Sequence, residues 1–269
     1  MSDASRTVLA TPEAGRALES GLPAVRRERH TAVGYLFMPL FLAIVCLALY
    51  LYVKGQDLDT IEARTLNADS LTSATWRHVQ LTVVSTFFVI ILAVPLGVLL
   101  TRPFTRRYRG VLLTIANIGQ AVPTIGVLSL LAVAFFFLGF AAAVVGLVAY
   151  AVLPVLRNTM VGLQQVDESI LEAGRGMGIS KFGVLRRIEL PLAVPIILAG
   201  VRTALIINVG TATLAAYISA GGLGTIIVAG LSTNRFPVQL TGAVLTAVLA
   251  LFVDYLAGIA EDVLRPKGL

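Results

Sequence analysis

The stretch EAGRGMGISKFGVLRRIELP, from Glu172 to Pro191, decides how this chain is read. It is polar, basic and rich in glycine, yet it lies between apolar runs long enough to cross a membrane. Its layout is specific: Glu172-Ala173, then Gly178, then nine residues, Ile188, one residue, and Leu190-Pro191. A charged element held between spans reads as a docking element for a cytoplasmic partner.

Composition sets the class around it. Of 269 residues 57% are hydrophobic and only 13% charged, with a mean hydropathy of +0.87. A soluble domain of this length needs more charge to cover its surface, so the chain is an all-α integral membrane protein. The net charge of +6 falls in short clusters between apolar runs, as orientation signals do. No stripe of arginines and aromatics suited to bases is present, which argues against nucleic acid. Cys46 is the only cysteine; it excludes an intrachain disulfide and a Cys-rich metal site, and reads as a small buried hydrophobe.

A bilayer core takes about 20 apolar residues per helix. About six spans follow, near residues 32–53, 79–100, 110–137, 140–156, 192–217 and 237–259. Gly139, after Phe135-Phe136-Phe137, marks a tight turn between the third and fourth. Counting Lys and Arg in the connecting segments gives 16 on the amino-terminal side against 4 on the other, with Arg202 alone inside a span. This positive-inside bias predicts N-in/C-in topology and a cytoplasmic 157–191 loop. Residues 1–31 read as a disordered cytoplasmic tail, 32–260 as the membrane domain and 261–269 as a second tail. Residues 56–74, with Asp57, Asp59, Glu62 and Asp69, form the largest external loop, with room for a short surface helix.

Within the cytoplasmic loop, Asp167 and Glu168 suit the first turn of a short helix. Gly174, Gly176 and Gly178 permit a sharp turn. Ser180 caps a second short helix, and Pro191 suits the first turn of span five. An amphipathic loop lying on lipid headgroups would use the same residues. The spacing, however, resembles the cytoplasmic EAA signature of membrane subunits of ATP-binding-cassette importers: EAA, three residues, G, nine residues, I-x-LP. Gly174 stands where that signature has Ala. The resemblance implies a helix–turn–helix that inserts into an ATPase subunit. Glu172, Ala173, Gly174 and Gly178 are then coupling residues, with Ile179, Ser180 and Lys181 at the contact and Pro191 at the root.

The chain has no G-x-x-x-x-G-K-[ST] phosphate loop, so ATP and Mg are expected on a partner subunit and no cofactor on this one. It shows no metal-ligand spacing, nucleophile elbow or His–Glu cluster, and an enzyme is a poor fit. His30 and His78 lie in polar flanks and read as surface or headgroup residues.

Polar groups inside spans face a partner helix or a watery path. In span three, Asn117, Gln120 and Thr124 follow i, i+3, i+7 spacing and would share a face, with Pro123 kinking the helix. In span five, Asn208, Thr211 and Tyr217 are further path candidates. Interhelical hydrogen-bond glue is the equal alternative for the span-three amides, and close helix packing the main one for span five. Arg202 is the one full charge within a span, and Asp254 is its candidate partner.

Beyond the loop, HVQLTVVST, NIGQAVPTIGVL, AAYISAGGLGTII and FPVQLTGAVL look like permeases of the osmoprotectant branch, which carries glycine betaine, choline, carnitine or proline betaine. That resemblance implies the type I importer permease fold in a bacterial cell membrane. It also implies two ATPase subunits, a second permease chain (identical or paralogous) and an external substrate-binding protein. An amino-acid importer permease of methionine type is the near alternative. An ion-coupled secondary transporter or a non-transporting scaffold are the distant ones.

Overall fold

A computed structural model of the protein describes residues 32–264. The amino-terminal tail, with His30, and residues 265–269 of the second tail lie outside the described residues. By its contacts the chain divides into Met1–Phe37 and Met38–Leu269. Only the opening turns of helix α1 (Ala32–Lys54) are described in the first unit. After α1 come α2 (Thr60–Thr65), α3 (Ala68–Thr101), α4 (Arg106–Ala121), α5 (Thr124–Ala134) and α6 (Gly139–Gln164). Then follow α7 (Glu168–Gly176), α8 (Lys181–Val184), a π turn over Leu185–Glu189 and α9 (Leu190–Thr211). The chain ends with a 3-10 segment over Ala212–Ile218, α10 (Gly224–Ser232) and α11 (Phe236–Leu264). No strand occurs among the described residues.

Among the described residues five helices are long and apolar enough to cross a membrane, and a sixth span arises if the bent pair α4–α5 is one. The predicted third span is not one continuous helix. Its halves meet at 87°. Pro123 has no N–H to donate and forces the residue before it out of the helical region; Val122 is extended, at φ −73° and ψ 127°. The turn at Gly139 is present, with φ +81°, which is open to glycine at little cost.

The helices outrun the apolar runs that announce them. α3 begins at Ala68, eleven residues before the expected 79, because Asn67 caps it by accepting the Ser70 N–H at 2.8 Å. The 56–74 segment is therefore largely helical, and α2 carries a capping box in which Asp59 and Glu62 satisfy each other's backbone. Toward the other end, α6 runs on to Gln164, and Lys181–Ile218 is a single helical run through the π turn.

The core of the second unit lies where α3, α6 and α9 meet. Lipid tails are as apolar as Leu, so helices associate in a bilayer by close packing of small residues. Ala93, Ala143, Ala151 and Ala204 are fully buried there beside Leu81, Val89 and Leu147. A Cβ on Gly97 would stand 2.7 Å from Thr159, and one on Gly200 2.7 Å from Asn158, so both glycines set helix spacing. The outer surface of α1 is apolar, with Leu40, Ile44, Leu47 and Leu51 exposed, as suits lipid contact. Cys46 is exposed on the same helix and is not the buried hydrophobe expected from sequence.

Candidate coupling site and intramembrane polar residues

The Glu172 element is a helix–turn–helix with caps at each joint. Asp167 opens α7 by accepting the Ser169 N–H at 2.8 Å. That hydrogen bond, with one to the Ser169 side chain, holds the Asp167 carboxyl below its ordinary range. Glu168 and Arg175 pair along the helix at 2.7 Å, with both side chains well exposed. α7 ends in a Schellman turn: the Gly178 N–H donates to Arg175 O at 2.9 Å and the Ile179 N–H to Gly174 O at 3.2 Å. Gly178 sits at φ +80° to allow it. Ser180 then caps α8 by accepting the Gly183 N–H at 3.2 Å.

These contacts sort the predicted coupling residues by face. Leu171 and Gly174 are buried against the root, while Glu172, Ala173, Gly178, Ser180 and Lys181 are exposed and Ile179 is half-buried. A Cβ on Gly174 would lie 2.7 Å from Ile188 Cδ1, the movable end of a side chain on the π turn. Sequence reading passed over two residues at the tip: Met177 and Phe182, 74% and 70% exposed. With Gly178, Ser180, Arg186 and Arg187 they line a shallow cleft of about 510 Å³. Large apolar side chains left bare in a polar loop were the signal that could have found them.

Pro191 stands in the first turn of α9, as expected for a residue with no N–H to donate. The π turn carries the helix past it: the Leu190 N–H donates to Leu185 O, and the wider turn accommodates a residue with no N–H. Glu189, on that turn, is buried and held by Arg102 from the end of α3.

The intramembrane candidates part company. Gln120 on α4 donates to Tyr150 O at 2.9 Å, and Asn117 accepts from Arg157. Thr124 opens α5 beyond the bend, so the shared helical face expected for these three does not exist. Asn208 is fully buried and donates to Thr86 Oγ1 at 3.0 Å, while Thr211 bonds back to Ile207 O in its own helix. Tyr217 is half exposed on the 3-10 segment. Arg202 and Asp254 are brought together, with Nη2 to Oδ2 at 2.9 Å. Among the described residues no cluster of His, Cys, Asp and Glu fit for a metal occurs.

His78 overturns its reading as a surface residue, because it is fully buried. Its Nδ1 accepts the Leu223 N–H at 3.2 Å, so Nε2 carries the proton and donates to Val209 O at 2.9 Å. The ring thereby ties α3 to the C-terminal end of α9 and to the Gly221-Gly222 turn. Beside it, Arg64, Ser70, Arg77, Gly221 and Thr225 line an open cleft of about 550 Å³ with no acidic lining residue.

Fold and site together define a multi-pass helical membrane protein carrying a folded polar element between two of its spans. The chain belongs to the family of binding-protein-dependent transport system inner membrane components, matched over residues 93–266. It is 42% identical over 192 residues to a carnitine transport permease, OpuCD, of Listeria monocytogenes, covering 71% of this chain and 85% of that one. It is 39% identical over 207 residues to a choline transport system permease, OpuBB, of Bacillus subtilis, covering 76% and 92%. It is 38% identical over 216 residues to an osmoprotectant import permease, OsmY, of Salmonella typhimurium, covering 80% and 90%. Among solved structures it resembles an inward-facing MetNI methionine ABC transporter, with TM-score 0.64 at 27% identity, covering 73% of this chain and 96% of that one. The chain is thus a multi-pass inner-membrane transport component of the type I importer fold.

Proposed function

We propose that this chain is the permease subunit of an ATP-driven importer for osmoprotectants such as glycine betaine, choline or carnitine. The observation that carries the substrate class is the contrast in similarity. Permeases named for carnitine, choline and osmoprotectants stand at 38–42% identity, against 27% for the methionine transporter. Two permease chains form the path, and separate ATPase subunits bind ATP and Mg. The capped element from Asp167 to Pro191 docks on the ATPase through Glu172, Ala173, Met177, Gly178, Lys181 and Phe182.

Charge asymmetry supports N-in/C-in orientation. In that orientation the basic cleft at Arg64 and Arg77 faces outside, where an acidic patch on the loaded binding protein would settle. Binding-protein docking, closure of the ATPase pair and movement of the coupling element then open the path outward, and hydrolysis resets it.

The test is uptake of labelled glycine betaine, choline and methionine in cells that lack other osmoprotectant importers. Deletion of this chain should abolish uptake of at least one quaternary ammonium solute and leave methionine untouched. Loss of methionine uptake alone would overturn the substrate class.

A further inference from the structure

We propose that Arg102 and Glu189 form the joint through which movement of the coupling element passes into α3, making them positioning residues for coupled transport. This rests on the reading of the Glu172 element as the ATPase contact. Glu189 is 5% exposed, and both its oxygens are taken by one guanidinium, Oε1 at 3.3 Å from Nη1 and Oε2 at 2.5 Å from Nη2. The remaining Nε of Arg102 donates to Val98 O at 3.2 Å, so the arginine is fixed to its own helix as well. Planar, two-pronged binding of this kind is a property of Arg that Lys cannot reproduce.

The position gives the pair its consequence. Glu189 is the last residue of the π turn that joins α8 to α9. π turns hold irregular hydrogen bonds and are common at functional sites. A pull on α7 and α8 would be absorbed there if the turn stood alone. With Glu189 clamped to α3, the turn cannot change shape without moving Arg102. Just beyond the joint, Val94 and Val98 of α3 pack against a buried cluster of Leu163 from α6 with Ala193 and Ile197 from α9, so α3 and α9 would shift together.

The pair is not needed merely to finish α3. Leu99 O already accepts from Thr105 Oγ1 at 2.6 Å and from the Arg102 N–H at 3.1 Å, and Leu100 O accepts from Arg109 Nε at 3.0 Å. A buried carboxylate is a costly way to cap a helix that is capped by other means.

The experiment uses the complete transporter, with its ATPase and binding protein, in proteoliposomes. ATP hydrolysed and labelled solute imported are measured in the same vesicles. Glu189→Gln keeps the shape of the side chain and removes its charge, and Arg102→Lys keeps the charge and removes the fork. Each should raise the ATP consumed per solute imported about fivefold or more, the lower end of ordinary coupling between sites. Only preparations that retain the wild-type ratio of ATPase to permease are compared, and either variant suffices if the other fails to assemble. A ratio equal to wild type, whether both rates fall together or neither changes, overturns the joint. Gly178→Asp serves as the control on the underlying reading. If it leaves ATPase assembly and uptake intact, the docking assignment fails; if it disrupts them while Glu189→Gln keeps the ratio, only the joint fails.

Discussion

Arg202 on α9 grips Asp254 on α11 through two hydrogen bonds, Nε to Oδ1 at 2.5 Å and Nη2 to Oδ2 at 2.9 Å. Glu261, about two turns beyond Asp254 on α11, stands 3.6 Å from the same guanidinium. The pair is therefore the tie between two spans, and it answers a charge that hydrocarbon would penalise. Both side chains remain partly exposed, 38% and 26%, so the tie is weaker than a fully buried one. Asp254→Asn or Arg202→Met should cost about 1–3 kcal/mol, because each leaves a charge without its full partner. The double variant Arg202→Met with Asp254→Leu should recover much of that loss, since no stranded pair remains. Thermal unfolding of the purified transporter in detergent measures both. Additive losses in the double variant would contradict the tie.

His78 carries a second structural load. Replacing it by Leu strands the Leu223 N–H and Val209 O in the interior, each costing about 1–3 kcal/mol. The expected result is a lowered melting temperature and faster hydrogen exchange at the Leu223 amide, with the α7–α8 segment unchanged. Exchange at Leu223 equal to wild type would show that the ring does not hold the Gly221-Gly222 turn.

How far the sequence carried can be seen at these same residues. The five continuous spans and the turn at Gly139 were readable because apolar length and a glycine stop are local signals. The break at Pro123 was readable as a kink, but its size was not. A proline removes one hydrogen bond, and whether the helix then bends slightly or turns by 87° depends on what it packs against. The early start of α3 was hidden because its first turns are polar and held by a cap. His78 looked superficial from its polar neighbours. Its two partners are backbone groups 131 and 145 residues away, which no local pattern reports. Glu189 sat inside the quoted signature and still went unread, since its partner lies 87 residues back. By contrast, Arg202 and Asp254 could be paired from sequence, because charges are rare enough in spans that few partners are available.

The two glycines of the coupling element should respond differently to alanine. At Gly174 the added Cβ meets only the mobile end of Ile188, and the site is helical. Gly174→Ala should thus be neutral or stabilise by up to about 1 kcal/mol through helix propensity, with uptake retained. At Gly178 there is open space but φ is +80°. Gly178→Ala should cost about 1 kcal/mol and loosen the Schellman turn, weakening ATPase capture without a clash. Co-purification of the ATPase with each variant reads the difference. Equal capture by both would remove the argument from backbone conformation.

The basic cleft at Arg64 and Arg77 makes a charge-dependent prediction. Arg64 is exposed on α2 and lines a cleft without an acid. Arg64→Glu should slow capture of the loaded binding protein by about threefold or more at low salt, and less as salt rises, because rim charges act mainly on association rate. A salt-independent defect, or none, would move the docking surface elsewhere.

Asp167 supplies the pH dependence. Its carboxyl accepts hydrogen bonds from the Ser169 backbone and side chain, which hold its pKa below the ordinary 3.8. A group whose folded pKa is depressed contributes stability that is complete above its unfolded pKa and is lost as pH falls through the folded one. Fraying of α7, followed by amide exchange corrected for intrinsic rate, should therefore stay flat from about pH 8 to 5 and grow only below about pH 4. Glu168 lies in the same first turn and pairs with Arg175, so the comparison with Asp167→Asn is needed. The amide keeps a side-chain oxygen for the Ser169 N–H and should remove most of the acid step. Asp167→Ala should fray at every pH. An acid step of full size in Asp167→Asn would take the Asp167 cap out of the account.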